Sequence, residues 1–515
     1  MRIYLLMGVM MSAPMVRAAD TSSLTVMLTE APRSMDPADQ NATATRSVLD
    51  PFYETLVSLD QNGGIVPVLA SSWSISDDRL EWRFHIRPAV LFHDGTTCDA
   101  AAVVASFHRL LDPAVPLAGA GVIRTVIGAV HAEGQEVVFR LAHPYADFLP
   151  LLAETQAAVV SSAAVAGGHL GQHAVGTGPY VFEGWHSGDD VMARRNPAYW
   201  GQKAAFEHLK WTWSSEPSVL NMALQTGNAD VVIPLAPVFA SLYQGHERAA
   251  RIAAVYDAPG AGLFWAALNT RLKPLDDARV RRALSLAVDR KGLVAGLLHG
   301  YGRPACYALT PDIVGALPCG PDEDSAKLSE ARQLLVSAGQ GRGFSIIATV
   351  QEPEEPIAEA LQAMWKRIGV TLEIHRQEAG VWVQSAFAPP EVKTREQTGV
   401  VVTSWSAPFI ADMQLRPIYA SASAAPKSAN LGFFSDATVD GLINTAARTP
   451  GGPERQEQLK QIQQLLSAQS PVIPLYVTDT LYGVRHGIEG VGAGRDGEIL
   501  VAHARSGLVS GGEGP

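Results

Sequence analysis

Strand-like and helix-like patterns alternate along nearly the whole 515-residue chain, and this alternation most constrains its fold. Residues 24–28 (LTVML) are a continuous β-favouring run, and residues 80–86 alternate apolar and polar side chains as a half-buried strand does. Helices are expected over 43–56 and, from the spacing of apolar residues, over 276–296. Strands that alternate with helices in this way predict an α/β fold with largely covered sheets.

Asp99 marks the start of another expected helix, which runs to about Leu111 before Asp112 and Pro113 end it. Its carboxylate can accept amide protons of the first helical turn. The chain shows no internal repeat and no long linker. If it forms two lobes, it must therefore cross between them several times, as a hinge requires.

The N-terminus resembles an export signal. Arg2 is followed by an almost wholly apolar run over 3–13, and Val16-Arg17-Ala18 places small or modest residues where a signal peptidase cuts. The run is too short to cross a bilayer, which needs about 20 residues. We therefore expect residues 1–18 to be a signal peptide cleaved after Ala18, and the mature protein to be periplasmic. The alternative is an apolar N-terminus of a cytoplasmic protein.

Three cysteines are present: Cys98, Cys306 and Cys319. An oxidising compartment would permit a bridge between Cys306 and Cys319, which would stabilise the fold by about 3 kcal/mol if unstrained. Two reduced, buried thiols are the alternative, and both remain open. Cys98 has no evident partner. The sequence contains no CxxC motif or Cys/His cluster, so we expect no structural zinc and no other cofactor.

The net charge of −11, with Lys and Arg dispersed along the chain, argues against nucleic acid as a partner. Binding to nucleic acid needs a basic face that displaces the counterions of the phosphates.

Four stretches resemble the extracytoplasmic solute-binding proteins of family 5, which serve peptide and nickel ABC importers. They occur in the order and spacing of that family: LASSWSISDDRLEWRFHIRPAVLFHDGT (69–96, followed by DAAAVVASFHRLLDP), VGTGPYVFEGWHSGDDVMARRNPAYWG (175–201), LNTRLKPLDDARVRRALSLAVDRKGLVAGLLHGYGRPA (268–305) and SPVIPLY (470–476). Within the second stretch, Gly176 and Gly178 would let the backbone run close to a neighbouring element. The details are closest to the glutathione- and dipeptide-binding branch.

The resemblance implies an α/β, two-lobed clamp like that of periplasmic binding proteins, with mixed sheets and an extra subdomain. The expected first lobe comprises 19–57, 170–262 and 480–515, with 58–169 as its inserted subdomain; the second lobe comprises 263–479. A monomer would close on a small peptide-like ligand and deliver it to the transmembrane permease subunits of an ABC importer.

Ligand-binding residues are carried over from the family by position. Trp405, Ser406 and Asp412 follow a strand in a segment that resembles the family's amine-binding segment. Trp405 would supply a flat wall and an indole donor, and Asp412 would pair with the ligand's ammonium. The alternative is a core Trp and a helix-capping Asp. Met35, in a loop that resembles the family's pocket floor, is either a soft ligand contact or a core residue.

The residue that would bind a ligand carboxylate is not evident. Arg416, one turn after Asp412, could bind the ligand's carboxylate, but we favour the alternative that it is solvated. Dipeptide-binding relatives would be expected to place an Arg near the strand over 344–350, but none lies inside it, and Gln351 stands close to the expected position. This departure argues against simple dipeptide specificity.

No catalytic constellation is apparent. Gly184-Trp185-His186-Ser187-Gly188 lacks the spacing of a GxSxG nucleophile elbow, and His169 and His173 lie in a glycine-rich stretch typical of a loop. We therefore expect a binding protein and not an enzyme. The alternatives are a binding protein for nickel or another metal chelate, and an exported enzyme that shares the fold.

Overall fold

The computed structural model describes residues 22–40, 42–60, 63–258, 260, 262–320, 325–406, 408–494 and 497–507. The expected export signal, 1–18, lies outside this part of the chain. No helix within the described ranges is both long and apolar enough to span a bilayer.

The strands fall into three main sheets and three short two-stranded ribbons. In chain order they are β1 (Ser23–Leu28), β2 (Val57–Leu59), β3 (Ile65–Pro67), β4 (Ala70–Ile75), β5 (Glu81–Ile86), β6 (Ile127–Glu133), β7 (Glu136–Leu141), β8 (Tyr180–His186), β9 (Asp190–Arg195), β10 (His208–Trp213), β11 (Val231–Ile233), β12 (Ala253–Ala258), β13 (Gly262–Leu268), β14 (Gly302–Pro304), β15 (Phe344–Val350), β16 (Val370–Arg376), β17 (Thr398–Ser406), β18 (Val472–Thr478), β19 (Thr480–Arg485), β20 (Ile488–Glu489), β21 (Gly492–Ala493), β22 (Ile499–Leu500) and β23 (Arg505–Ser506).

The helices cover the faces of these sheets. In chain order they are α1 (Thr43–Leu49), α2 (Ala100–Leu111), α3 (Gly121–Val126), α4 (Phe148–Ala153), α5 (Ser162–Ala166), α6 (Pro217–Thr226), α7 (Pro237–Gly245), α8 (Glu247–Ala250), α9 (Ala278–Leu286), α10 (Arg290–Leu297), α11 (Leu328–Ser337), α12 (Glu355–Lys366), α13 (Ala379–Ala386), α14 (Pro390–Arg395), α15 (Ala411–Tyr419), α16 (Ala437–Arg448) and α17 (Pro453–Gln469). Short 3₁₀ turns occur at Thr155–Ala157, Glu352–Glu354 and Ser421–Ser423.

The first sheet has the order β12-β19-β11-β1-β10-β9-β8, with β1 parallel to both β10 and β11. Along β1 every second residue, Leu24, Val26 and Leu28, is buried against α1, as the period of two in a strand requires. Met27 points to the opposite face and packs in the core of α6 and α7. The sheet is therefore covered on both sides.

The second sheet has the order β14-β18-β13-β17-β15-β16. Helices α9 to α12 contribute to the core on one face, and helices α13, α15, α16 and α17 contribute to the core on the other. The third sheet, β4-β5-β7-β6, is antiparallel and packs on α2 and α4 around Phe84, Phe107 and Phe139. The predicted α/β class with mixed sheets is confirmed. The division of the chain into lobes and an inserted subdomain stays a prediction.

Two expected helices are shorter than the sequence pattern indicates. The helix over 43–56 ends at Leu49, because Pro51 lacks the amide proton that would continue the ladder. The helix over 276–296 is split into α9 and α10, since the Asp289 side chain accepts from the Gly292 amide at 3.0 Å and starts a new helix. The cap at Asp99 is confirmed: its side chain accepts from the Ala102 amide at 3.0 Å.

The structure decides between a disulfide and two reduced thiols at Cys306 and Cys319. Cys306 and Cys319 form a disulfide, with 5.4 Å between their Cα atoms. Cys98 is a buried free thiol, and burial raises its pKa to about 12. It therefore behaves as a small core residue and not as a nucleophile.

Candidate functional site

The first and second sheets are joined by two crossings that lie side by side. One crossing leads from β12, which ends at Ala258, to β13; the other leads from β18 through the single residue Asp479 to β19. Ala258 pairs with Thr480 in the first sheet, and Leu263 pairs with Val477 in the second. Two adjacent short links between two sheets form a natural hinge.

Gly260 is required where these crossings touch. A Cβ atom on it would stand 2.0 Å from the Thr478 carbonyl oxygen, far inside contact distance. Only glycine lets the two backbones approach this closely.

Arg303 anchors the second crossing. Its Nε donates to Asp479 Oδ1 at 3.1 Å, and its Nη1 and Nη2 donate to the two oxygens of Asp312 at 2.8 and 2.6 Å. Burial lowers the pKa of Arg303, but the hydrogen bonds and charges of the two carboxylates outweigh it and raise the pKa overall. Burial also raises the pKa of Asp479. Through these hydrogen bonds Arg303 links Asp479, the single residue between β18 and β19, to the loop that follows β14.

A cavity of about 940 Å³ opens beside the crossings. Its wall includes Asp257, Ala258 and Tyr482 at the first-sheet end of the hinge, and Asp312 from the other side. The end of α1 and the C-terminal segment 491–503 supply further parts of the wall. Known pockets for small ligands have volumes of roughly 300–1,000 Å³, so a solute of several residues fits this space.

The wall of the cavity is acidic. Seven carboxylates line it: Asp50, Glu54, Asp60, Glu154, Asp257, Asp312 and Glu498. Among the described residues that line it, none is Lys or Arg, and His503 is the one imidazole.

Asp50 lies directly after α1, where the negative end of the helix dipole faces it. Its carboxylate receives no hydrogen bond or ion pair from any residue in the described ranges, although it lines the cavity. Burial, and then the charge of Glu54, raise its pKa to about 7. Sequence reasoning missed Asp50, because it lies inside an apolar pattern that was assigned to a helix.

Glu54 is held by neutral donors. Trp200 Nε1 and Tyr199 OH donate to it at 2.8 Å each, and Thr177 Oγ1 donates at 2.7 Å. Burial raises the pKa of Glu54, and these hydrogen bonds oppose the rise. Glu54 therefore links the segment that follows α1 to the segments around Thr177 and Tyr199.

The residues predicted from sequence lie elsewhere. Neither Met35 nor Trp405, Ser406 or Asp412 lines the cavity described above. Met35 is fully buried in the core between the first sheet and α1. Its role as a ligand contact stays a prediction, and this structure buries the side chain.

Trp405 and Ser406 end β17 next to the hinge. They pair with Leu263 and Gly262, the first residues after the crossing. The Trp405 ring is half-buried against the core of α15, and its Nε1 is buried without a hydrogen-bond acceptor among the described residues. Ser406 is exposed.

Asp412 lies in the first turn of α15, where a carboxylate is favoured. Its side chain is largely buried and is neutralised by Arg416, which donates through Nη2 at 2.7 Å and through Nε at 3.0 and 3.1 Å. Arg416 also donates to Asn444 at 2.7 Å. The structure therefore brings Asp412 together with Arg416.

A metal site is not apparent in the described ranges, where no three His, Cys, Asp or Glu side chains gather as ligands would. His169 and His173 lie in turns, and His173 packs its ring edge-on against Phe182 at 4.8 Å.

Two mixed sheets joined by paired crossings, with a cavity beside the hinge, define a two-lobed binding-protein fold. The chain belongs to the bacterial extracellular solute-binding proteins of family 5, because the family model for their middle region matches residues 64–426. Members of this family are solute-binding proteins.

Known relatives agree with this assignment. The glutathione-binding protein GsiB of Escherichia coli K12 is 30% identical over 454 residues, which cover 86% of each chain. HbpA2 of Haemophilus parasuis superposes with a TM-score of 0.83 at 23% identity, covering 95% of this chain and 100% of its own. A dipeptide-binding protein of Pseudoalteromonas sp. SM9913, in complex with Met-Leu, gives 0.77 at 23% identity, covering 94% and 100%. The resemblance to family 5 and the two-lobed fold are thereby confirmed.

Proposed function

We propose that this protein is the solute-binding component of a bacterial ABC importer. It captures a small peptide-like solute between two lobes and delivers it, chemically unchanged, to the permease subunits. The observation that carries the proposal is the pair of crossings at Gly260 and Asp479 beside a cavity of about 940 Å³. Bending at two short, adjacent links opens and closes such a cavity while each sheet stays rigid.

The class of solute follows from the relatives. The curated relative is named for glutathione, and a solved neighbour holds the dipeptide Met-Leu. Peptides and glutathione share an ammonium group, amide bonds and a carboxylate. Glutathione and short peptides are therefore the first solutes to test, with nickel chelates as the alternative class.

The proposal also assigns segments of the chain to the two lobes and individual residues to the solute-binding site. Residues 19–57, 170–262 and 480–515 form the first lobe, 58–169 its subdomain, and 263–479 the second lobe. Trp405 and Ser406, beside the hinge strand, form a wall for the solute. Asp412 binds the solute's ammonium only if Arg416 releases it, and Met35 shapes the pocket floor from beneath.

The protein acts in the periplasm as a monomer. The apolar N-terminus with its small residues at Val16 and Ala18 supports export. Sequencing the mature N-terminus from a periplasmic extract tests this: it should begin at Ala19, and an intact Met1 would contradict export. Native mass spectrometry should show one copy of the chain.

Isothermal titration with glutathione, di- and tripeptides and nickel-histidine tests the function. We expect saturable binding of at least one peptide with one solute per chain, and recovery of that solute unchanged by mass spectrometry. Appearance of a cleaved product would point to an enzyme. Binding of the nickel chelate without any peptide would assign the alternative class of solute.

A further inference from the structure

The acidic cavity has a feature that membership of a peptide-binding family does not account for. Seven carboxylates line it, and among the described residues of the lining none is Lys or Arg. Asp60, Glu154, Asp312 and Glu498 have partners of their own. Glu54 is hydrogen-bonded by neutral donors only. Arg303, which does not itself line the cavity, pairs with Asp312. The described part of the lining supplies no Lys or Arg to Asp50 or Glu54.

Asp50 is the residue in this wall that is poised to take a cation. A carboxylate that is partly buried, as Asp50 is, is destabilising unless it is hydrogen-bonded or paired. Asp50 accepts no hydrogen bond within the described ranges, and Glu54 lies close enough to repel its charge. A positively charged group of a bound solute would relieve both costs at once.

Asp412, the carboxylate predicted from sequence, is in the opposite state. Three hydrogen bonds from Arg416 already satisfy it. Using it to bind a solute would cost the loss of that ion pair, whereas using Asp50 breaks no contact. Variants of Asp50 and of Asp412 can therefore show which of the two carboxylates binds the solute.

We propose that the cavity holds an ammonium or guanidinium group of the captured solute against Asp50, so that solutes of net positive charge are preferred. This preference rests on the proposed function and narrows the class of solutes that the protein captures. Glutathione, with two carboxylates and one ammonium group, is disfavoured by the same wall that attracts a basic peptide. Electrostatic complementarity of this kind selects among solutes of equal size.

The test measures affinity of the full-length mature protein for three tripeptides of matched length, Ala-Arg-Ala, Ala-Gln-Ala and Ala-Glu-Ala. Glutathione, free arginine and spermidine complete the panel. For the native protein we expect affinity to fall from the Arg to the Gln to the Glu peptide. Asp50→Asn should weaken binding of Ala-Arg-Ala by roughly tenfold to a hundredfold, the effect of one lost charged hydrogen bond, and leave Ala-Glu-Ala unchanged or tighter.

Two matched variants serve as controls. Asp189→Asn removes an exposed carboxylate that does not line the cavity and should change each affinity by less than about threefold. Asp412→Asn tests the rival carboxylate. Asp50→Ser is a second variant at the proposed site, and circular dichroism of each variant verifies folding.

The outcomes separate this inference from the function on which it rests. Peptide binding that Asp50→Asn leaves intact, or that only Asp412→Asn abolishes, overturns the inference and keeps the proposed function. Binding of arginine or spermidine through Asp50 with no peptide bound overturns the peptide assignment and keeps the cation site. A panel in which nothing binds overturns both.

Discussion

Asp147 and Arg455 form a buried two-armed ion pair that joins the region of the third sheet to a helix on the second sheet. Arg455 Nη1 donates to Asp147 Oδ1 at 2.7 Å, and Nη2 donates to the other oxygen. Only about a tenth of each side chain is exposed, at 11% and 10%. Beside this pair the Ala146 amide donates to the Ala447 carbonyl at 2.8 Å, and Ala447 packs in the core of the third sheet. The ion pair therefore fastens the predicted subdomain to the predicted second lobe.

Breaking one side of this ion pair should be strongly destabilising. Arg455→Met leaves the Asp147 carboxylate buried without its cation, and we expect a loss of about 3 kcal/mol in the free energy of unfolding. Replacing both partners, as Asp147→Leu with Arg455→Met, removes the stranded charge and should recover at least half of that loss. Urea titration followed by tryptophan fluorescence measures the double-mutant cycle. A double variant as unstable as Arg455→Met alone would contradict this account.

Gly176 should tolerate no side chain. A Cβ atom there would stand 2.1 Å from the Phe52 carbonyl oxygen, which confirms the close approach expected from the sequence. Gly176→Ala should lower the free energy of unfolding by about 2 kcal/mol, since backbone must shift to make room. Gly441→Ala is the matched control, because Gly441 lies within α16 with open space around it. That substitution should stabilise by about 0.5–1 kcal/mol. Equal melting temperatures for the two variants would rule out the steric argument.

Much of the fold could be predicted from the sequence because its signals are local. The cap at Asp99 depends only on its own carboxylate and the first turn of the helix. The close approach at Gly176 was expected from the glycine itself, although its partner, Phe52, lies far away in the sequence. The split between α9 and α10 was missed for the same reason: the apolar spacing continues through Asp289, while the cap that restarts the helix is a single polar side chain.

The candidate site was less predictable. Asp50 lies in an apolar run that periodicity assigns to a helix. Its exposure to a cavity depends on the C-terminal segment 491–503, more than four hundred residues further along the chain. Asp412 shows the converse: position in the sequence suggests a ligand contact, and the structure adds the neutralising Arg416. Which charged side chains lie next to each other can be known only from the folded structure.

A thiol reagent should attach different numbers of labels to the cysteines under three conditions. In the native oxidised protein Cys98 is buried and its pKa is about 12, so a thiol reagent at pH 8 should find no reactive group. Unfolding in guanidinium should expose one thiol, and unfolding with a reductant should expose three, because Cys306 and Cys319 are bridged. Counting labels by intact mass gives the answer directly. Three labels without reductant would contradict the bridge.

Because its pKa is raised in the folded state, Asp50 should make the free energy of unfolding fall as the pH rises. Other residues with ionisable side chains line the same cavity wall: Tyr53, Glu54, Asp60, Glu154, Tyr199, Asp257, Asp312, Tyr482, Glu498 and His503. The folded state holds the Asp50 proton up to a pH of about 7, whereas the unfolded chain releases it near 3.8. Between these values the folded state binds more protons, so the contribution of Asp50 to stability is present at low pH and is lost as the pH rises towards 7.

Asp50→Asn should therefore stabilise the protein at pH 8 and have little effect at pH 4. The neutral amide has nearly the shape of the carboxyl group and avoids placing an unpaired charge in the cavity wall. A shift of this size corresponds to a gain of about 2–4 kcal/mol at pH 8 relative to pH 4, with the lower end expected since cavity water screens the charge. Thermal melting of the native protein, Asp50→Asn and the control Asp257→Asn at both pH values measures it, with basic tripeptide absent. A gain that is the same at both pH values, or one that Asp257→Asn reproduces, would show that Asp50 is not the group responsible.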